Sequence, residues 1–266
     1  MLSRLQIAGF ELELLEIPAS ASRGVAMLLL HEGLGCVELW RDFPQALAGA
    51  CELPAFAYSR AGYGGSSPVE LPRPLSYMHD EARQVLPLLL ERLAQREFVL
   101  VGHSDGASIA LIHAAMNRGV HPVRGLVLLA PHVFCEERSV QAIAQARDAY
   151  LQGELRQRLE RYHGANVDCA FWGWNGAWLD PEFRHWDLRE LLSAVTCPTL
   201  VIQSQDDPYG TLAQVDAIAA GISGTCERLI LEGNDHAPQR THRERTIAAI
   251  ASFVQRLLSP PNPDPA

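Results

Sequence analysis

The sequence predicts an α/β fold in which a mostly parallel sheet is flanked by helices and interrupted by an inserted helical segment. Short apolar runs of strand length alternate with helical patterns along most of the 266 residues, which is typical of a parallel sheet covered on both faces. Between residues 134 and 195 the periodicity becomes helical and aromatic residues accumulate. We therefore expect a core at 1–133 and 196–258, a helical lid at 134–195 and a disordered, proline-rich tail at 259–266.

The candidate strands before the insertion are short apolar or alternating runs that end at turn signals. They are Phe10–Ile17, Val25–Leu30, Pro54–Tyr58, Phe98–Val101 and Val123–Ala130. Helical patterns lie among them at His79–Leu93 and Ala107–Ala115. The first helix should kink, or start later, at Pro87, because proline cannot donate a backbone hydrogen bond. The second is apolar on nearly every face, so we expect it to be deeply buried.

The strand pattern resumes after the insertion at Pro198–Ile202 and Arg228–Leu231. A final amphipathic helix follows, with an apolar face formed by Ile247, Ile250, Val254 and Leu257. The core is therefore predicted to be built from two stretches of chain on either side of the insertion.

Composition argues against several functional classes. The net charge is −9, which disfavours nucleic acid as the main partner. All 22 basic residues are arginine, so a P-loop lysine, a Schiff-base lysine and a lysine general base are excluded. Because no apolar run reaches the length of a membrane span and the first residues do not resemble a signal peptide, we expect no membrane partner and a cytoplasmic location.

Cysteines and histidines give no indication of a metal site. The six cysteines are scattered without a Cys-x-x-Cys pair, which is typical of free thiols in a reducing compartment. The ten histidines include no ligand spacing such as His-Glu-x-x-His. We therefore predict no bound metal.

The clearest functional motif is Gly102-His103-Ser104-Asp105-Gly106, which fits the pattern Gly-x-Ser-x-Gly. It joins an apolar strand directly to a buried helix, and a turn this sharp leaves no room for side chains two positions either side of its centre. The strain lifts the Ser104 hydroxyl clear of the sheet and aims the first helix amides at the place where negative charge would develop. Ser104 is therefore the candidate nucleophile.

A serine nucleophile needs a base, and the base needs an acid that orients it. The strand at Pro198–Ile202 is followed by Asp206 and Asp207, and the strand at Arg228–Leu231 is followed by His236. Parallel strands bring their carboxyl ends to one edge of the sheet, so these side chains should meet Ser104 there. His236 is the candidate base, and either aspartate could be the acid. Glu136 or Glu137, after the preceding strand, is a further alternative for the acid.

These motifs resemble the α/β-hydrolase superfamily over nearly the whole chain from about Val25 to Leu258. Members commonly carry Gly-x-x-Asp after the acid-bearing strand, and Ser204-Gln205-Asp206-Asp207 matches with serine in place of glycine. The match favours Asp207. The glycine-rich stretch from Tyr58 to Ser66 also matches the superfamily. The resemblance implies hydrolysis of an ester, thioester, amide or carbon–carbon bond without a cofactor.

The same resemblance suggests an oxyanion hole, which stabilises the tetrahedral intermediate with two backbone amides. One donor should be the amide of Asp105, which follows the nucleophile. The other should come from His31-Glu32-Gly33-Leu34-Gly35, which looks like the superfamily's His-Gly-x loop with glutamate in place of one glycine. Gly33 is the preferred donor, and its neighbour Leu34 is the alternative.

The substrate pocket is expected to lie beneath the lid. Leu34 and His132, which is located where the lid begins, are candidate substrate contacts. Four tryptophans lie close together in the lid, and each could be lid core or pocket wall; Trp172 and Trp174 are the candidates for the wall.

The sequence favours a cofactor-independent serine hydrolase that acts on a small, largely hydrophobic carboxylic ester, as a monomer or homodimer. A proline-type aminopeptidase is an alternative if Asp168, Asp180 or Glu182 binds a free amine. A carbon–carbon hydrolase is another if Arg184 or Arg189 holds a dienoate carboxylate. A binding protein that kept the fold but lost turnover is a remote alternative.

Overall fold

The computed structural model describes residues 1–19, 24–116 and 123–259, whose strands form one eight-stranded sheet. The strands are β1 (Leu2–Ile7), β2 (Phe10–Ile17), β3 (Val25–Leu30), β4 (Ala55–Tyr58), β5 (Glu97–His103), β6 (Val123–Leu129), β7 (Thr199–Ser204) and β8 (Cys226–Leu231). Their order across the sheet is β1-β2-β4-β3-β5-β6-β7-β8, and neighbours from β4 to β8 pair in parallel. The predicted α/β class with a mostly parallel sheet is confirmed.

The sequence patterns did not predict β1. This strand lies at the edge of the sheet and pairs antiparallel with β2, which in turn pairs antiparallel with β4. Four of its six side chains are exposed, so it lacks the apolar run that identifies the interior strands.

In the part of the chain that the structure describes, the α-helices before the insertion are α1 (Phe43–Cys51), α2 (Tyr77–Asp80), α3 (Leu86–Leu93) and α4 (Asp105–Met116). A π-helical turn at Glu81–Val85 joins α2 to α3. Pro87 therefore lies in the first turn of α3, where its missing N–H costs little. The later start predicted for this helix corresponds to the change from π to α geometry.

The segment between β6 and β7 contains α5 (Glu137–Gln152), α6 (Leu155–His163), α7 (Val167–Leu179) and α8 (Arg189–Leu192), and residues 134–195 are called the insertion below. Its two ends are tied together by an antiparallel bridge between Phe134 and Asp187. The amide of Leu188 also donates to the carbonyl of Val133 at 2.6 Å. Both ends of the insertion are thus anchored beside the carboxyl ends of β6 and β7.

Between β7 and residue 259, where the description ends, the helices are α9 (Leu212–Gly221), α10 (Pro238–Thr241) and α11 (Arg243–Leu258). The buried side chains form two clusters, one on each face of the sheet. The first joins α3, α4 and the insertion, and the second joins α1 to α11. The predicted tail lies outside the described residues apart from Ser259. Among the described residues, no helix is both long and apolar enough to span a membrane.

Candidate active site

Ser104 lies at the turn between β5 and α4, and its backbone has a φ of 53°. Left-handed geometry is strained for a non-glycine residue. The strain persists because the turn is fixed from several sides: the Ser104 amide donates to the Leu129 carbonyl at 2.9 Å, and its carbonyl accepts from Ala107 at 2.9 Å. The sequence therefore forms the sharp strand-to-helix turn that its motif predicts.

The two glycines of the motif are required by close backbone contacts. A Cβ atom on Gly102 would lie 2.4 Å from the carbonyl oxygen of Gly106. A Cβ atom on Gly106 would lie only 2.0 Å from the carbonyl oxygen of Leu30. The start of α4 thus packs directly on the end of β3, which brings Ser104 beside the loop that follows β3.

Three side chains from three loops meet in one line of hydrogen bonds. Nε2 of His236 lies 2.9 Å from Oγ of Ser104. Nδ1 of the same ring lies 2.8 Å and 3.0 Å from the two carboxylate oxygens of Asp207. Because a carboxylate only accepts hydrogen bonds, Nδ1 carries the proton and Nε2 is left to accept the proton of the serine hydroxyl.

Asp207 is held as a carboxylate. Burial would raise its pKa, but the hydrogen bond and the charge of His236 bring the pKa below its ordinary value. The amide of Tyr209 also donates to Oδ1 at 2.8 Å. Asp206, which the residues alone left as a competitor, is exposed. The structure brings Asp207, and not Asp206, to His236.

Ser204 replaces the usual glycine without disturbing this turn. It is the last residue of β7, and its hydroxyl donates to Asp235 at 3.1 Å, beside the loop that carries His236. The glutamate alternatives for the acid lie elsewhere. Glu136 accepts hydrogen bonds from Thr211 and Gln214, and Glu137 pairs with Arg184.

The two predicted oxyanion segments lie on either side of Ser104. Gly33, Leu34 and Asp105 all line the same cavity as the serine. Asp105 is the first residue of α4, where backbone amides have no partner within the helix. Its side chain is buried and accepts hydrogen bonds from Tyr77 at 2.5 Å and from Trp178 at 3.3 Å. Burial raises the pKa of the Asp105 carboxyl.

The cavity beside Ser104 has a volume of about 200 Å³. His132, Trp174, Trp178 and Tyr209 form much of its wall. Burial lowers the pKa of His132 to about 3, so this ring is neutral at ordinary pH. Gly33 fits beneath Trp174, because a Cβ atom on the glycine would lie 2.2 Å from the indole ring. The insertion thus supplies one wall of the site.

Trp172, the other tryptophan proposed for the pocket wall, does not line this cavity. Its ring packs edge-on against Tyr150 at 5.6 Å and Phe171 at 5.0 Å. Both contacts lie within the insertion, and the contact with Tyr150 joins α5 to α7. The structure therefore places Trp172 outside the cavity, whereas Trp174 and Trp178 line it.

The sequence comparisons agree with the geometry. A model of the alpha/beta hydrolase family matches residues 27–249, which is well over half of the chain. The chain belongs to the alpha/beta hydrolase family.

Individual relatives are distant. Serine hydrolase BPHL of Homo sapiens is 26% identical over 220 residues, which cover 78% of this chain and 72% of that protein. The match to the Mus musculus protein spans only 61% of its length. The pimeloyl-[acyl-carrier protein] methyl ester esterase of Xylella fastidiosa (strain 9a5c) is 29% identical over 191 residues, covering 60% of this chain and 71% of that protein.

Solved structures share the fold of this alpha/beta hydrolase. The enol-lactonase from Burkholderia xenovorans LB400 superposes with a TM-score of 0.73 and 18% identity, covering 95% of this chain and 100% of that chain. A haloalkane dehalogenase variant from Bradyrhizobium elkanii gives 0.74 with 18% identity, covering 97% of each chain. At such low identity the likeness concerns architecture alone.

Sequence reasoning missed several residues that this alpha/beta hydrolase brings to the site. The Tyr209 ring lies 4.6 Å from the His236 ring, and both line the cavity. His103, the residue before Ser104, is another. Its Nε2 lies 2.7 Å from the backbone carbonyl of His236, so it tethers the loop of the candidate base to β5. Arg60 also reaches the site, through the backbone of the loop after β3.

Proposed function

We propose that this alpha/beta hydrolase is a cofactor-independent serine hydrolase that cleaves small, largely hydrophobic carboxylic esters through an acyl-enzyme. The observation that carries the proposal is the line of hydrogen bonds from Asp207 through His236 to Ser104, with 2.9 Å between the imidazole and the hydroxyl. A base within hydrogen-bond reach of the proton it removes is the first requirement for activating a serine.

The reaction follows from the positions of these atoms. Nε2 of His236 takes the hydroxyl proton as Oγ of Ser104 attacks the ester carbonyl, and the Asp207 carboxylate stabilises the imidazolium. The negative oxygen accepts hydrogen bonds from the backbone amides of Asp105 and of Gly33 or Leu34. The imidazolium then gives its proton to the leaving alcohol, and water releases the acid from Ser104 by the same steps.

The size and lining of the cavity support a small, apolar substrate. Its volume of about 200 Å³ is below the common range of ligand pockets. Trp174, Trp178 and Ile143 contribute apolar surface from the insertion, which we propose acts as a lid over the acyl group. An ester is also the bond named for the Xylella fastidiosa relative.

The aminopeptidase alternative lacks the acidic contact that it requires. It needed an acidic residue of the lid to bind a free amine in the pocket. Asp168 instead binds Arg156 and Tyr150, and Asp180 caps the helical turn that contains Glu182. None of these acids lines the cavity.

The carbon–carbon hydrolase alternative also lacks the contact that it requires. It needed an arginine of the lid to hold a substrate carboxylate. Arg184 pairs with Glu137 and Arg189 pairs with Asp187, and both arginines lie outside the cavity.

A fluorophosphonate probe tests the proposal directly. We expect the wild-type chain and Ser252→Ala, a change at an exposed serine, to be labelled, and Ser104→Ala to remain unlabelled. Hydrolysis should be measured in parallel on short-chain nitrophenyl esters, proline arylamides and dienoate substrates. We expect the esters to be cleaved fastest, and Ser104→Ala to lower their kcat by at least about 10³-fold. Unlabelled wild type would favour the non-catalytic binding protein.

A further inference from the structure

Arg60 is a fully buried cation whose hydrogen bonds run to the loop after β3. It is 2% exposed. Its Nη1 donates to the carbonyl of His31 at 2.8 Å, and its Nη2 donates to the carbonyl of Glu32 at 3.0 Å. Among the described residues no carboxylate lies within ion-pair distance of Arg60. Burying a guanidinium without a carboxylate partner is costly, so the position of Arg60 in the fold needs a reason.

The carbonyl of Glu32 receives an unusual number of donors. Arg60 is the first, and the amide of Gly35 donates to the same oxygen at 3.0 Å. The ring of His31 supplies the third: its Nε2 accepts from the Arg60 amide at 3.1 Å, so its Nδ1 carries the proton and donates to Glu32 at 2.7 Å. Three donors on one oxygen fix the orientation of this peptide group.

That peptide group also contains the amide of Gly33, the preferred second donor of the oxyanion hole. In a trans peptide the N–H and the C=O point to opposite sides. The bonds that fix the Glu32 carbonyl therefore also fix the direction of the amide of Gly33, a residue that lines the cavity. Donors on the carbonyl also polarise the peptide and make its N–H a stronger donor.

We propose that Arg60 is a positioning residue that orients and polarises the oxyanion loop, with His31 as its partner. The inference rests on the proposed function, because it needs an oxyanion at this place. Arg60 touches no substrate in this scheme and acts through the Glu32–Gly33 peptide. The positive charge of Arg60 also offsets the negative field of the buried Asp105 carboxyl. That field would otherwise disfavour the oxyanion, which forms beside the Asp105 amide.

The test compares Arg60→Met and Arg60→Lys with Arg73→Met. Arg73 is a matched control because Arg60 and Arg73 each stack on the Tyr63 ring at 4.9 Å, while Arg73 donates to the carbonyl of Ala61 and not to the oxyanion loop. With a short-chain nitrophenyl ester, we expect Arg60→Met to lower kcat by about 10- to 100-fold with little change in KM. Arg73→Met should stay within about 3-fold of wild type.

A second readout separates positioning from general structural support. A trifluoromethyl ketone forms a hemiketal with the serine and places its oxyanion in the hole. Its affinity should fall in proportion to kcat/KM in Arg60→Met. Arg60→Lys keeps the charge but cannot bridge both carbonyls, so it should lose less kcat and less ketone affinity than Arg60→Met. If Arg60→Met does not fold, Arg60→Lys alone tests the role of Arg60.

Two results overturn different claims. If wild type hydrolyses the ester and Ser104→Ala does not, yet Arg60→Lys and any folded Arg60→Met keep full kcat and ketone affinity, the role of Arg60 is wrong and the proposed function stands. If wild type neither reacts with the fluorophosphonate nor cleaves any ester, the proposed function itself fails.

Discussion

Two adjacent aspartates of identical chemistry have different surroundings in this protein. Asp207 is buried and bonded to His236, whereas Asp206 is exposed at the surface. The residues alone left both open as the acid, because one position in a loop decides which side chain faces the sheet edge. The superfamily pattern favoured Asp207, and the geometry agrees.

Asparagine substitutions at these positions test the role of the carboxylate. Asp207→Asn can present an N–H to His236 and favour the wrong tautomer, so we expect kcat on a nitrophenyl ester to fall by about 10³- to 10⁴-fold. Asp206→Asn should change kcat less than about 2-fold, since its side chain is solvated. Equal losses in the two variants, with both folded by circular dichroism, would contradict the assignment.

Residue identity and spacing predict some residues of the candidate site but not others. Ser104 and His236 could be selected because each follows a recognisable strand and because the chemistry restricts the residue type. Arg60 could not be selected, since it acts on carbonyls that carry no signature in the sequence. His103 works through a carbonyl in the same way.

Helix α7 explains why only one of the two predicted tryptophans lines the cavity. At 3.6 residues per turn, the side chains of Trp172 and Trp174 lie about 160° apart around the helix axis, so they cannot both face one cavity. Trp174 and Trp178 are four residues apart and share a face, and both line the cavity. The spacing alone could have selected this pair once α7 was recognised as a continuous helix.

Alanine substitutions in α7 should separate the two faces. Trp174→Ala removes a ring that covers Gly33 and enlarges the cavity, so we expect the preferred acyl chain to lengthen and KM for a butyrate ester to rise about 10-fold. Trp172→Ala should leave chain-length preference unchanged and lower the thermal midpoint instead, because its ring packs inside the insertion. A shift in chain-length preference from Trp172→Ala as large as that from Trp174→Ala would contradict this arrangement.

Elements were predictable where burial imposes a pattern. Strand β3 is buried along its whole length and β5 from its second residue onward. Both carry continuous apolar runs, and both were predicted within a few residues of their bounds. The edge strand β1 and the π-helical turn were not, because one is solvated and the other depends on tertiary packing.

Across the whole molecule, several histidines are buried as neutral rings. Burial holds the pKa of His31, His132 and His163 below the ordinary value, and that of His132 falls to about 3. An unfolded chain would protonate these rings at about pH 6.5, so between the folded and unfolded pKa values the unfolded state binds more protons. The contribution of these three rings to stability therefore decreases as pH falls below about 6.5.

The size of this effect can be tested at His132. The pKa of His132 is about 3 in the folded protein and about 6.5 in the unfolded chain. Between pH 6.5 and 5 this difference lowers the free energy of unfolding by about 2 kcal/mol. The free energy of unfolding in urea should thus fall from pH 7.5 to pH 5, and His132→Asn should remove about 2 kcal/mol of that fall. His185→Asn, at an exposed position, is the matched control and should keep the wild-type slope. An unchanged slope in His132→Asn would mean that this ring takes up its proton at the same pH in the folded and the unfolded chain. The ring would then be charged at pH 5 and would oppose the imidazolium that the proposed mechanism forms at His236.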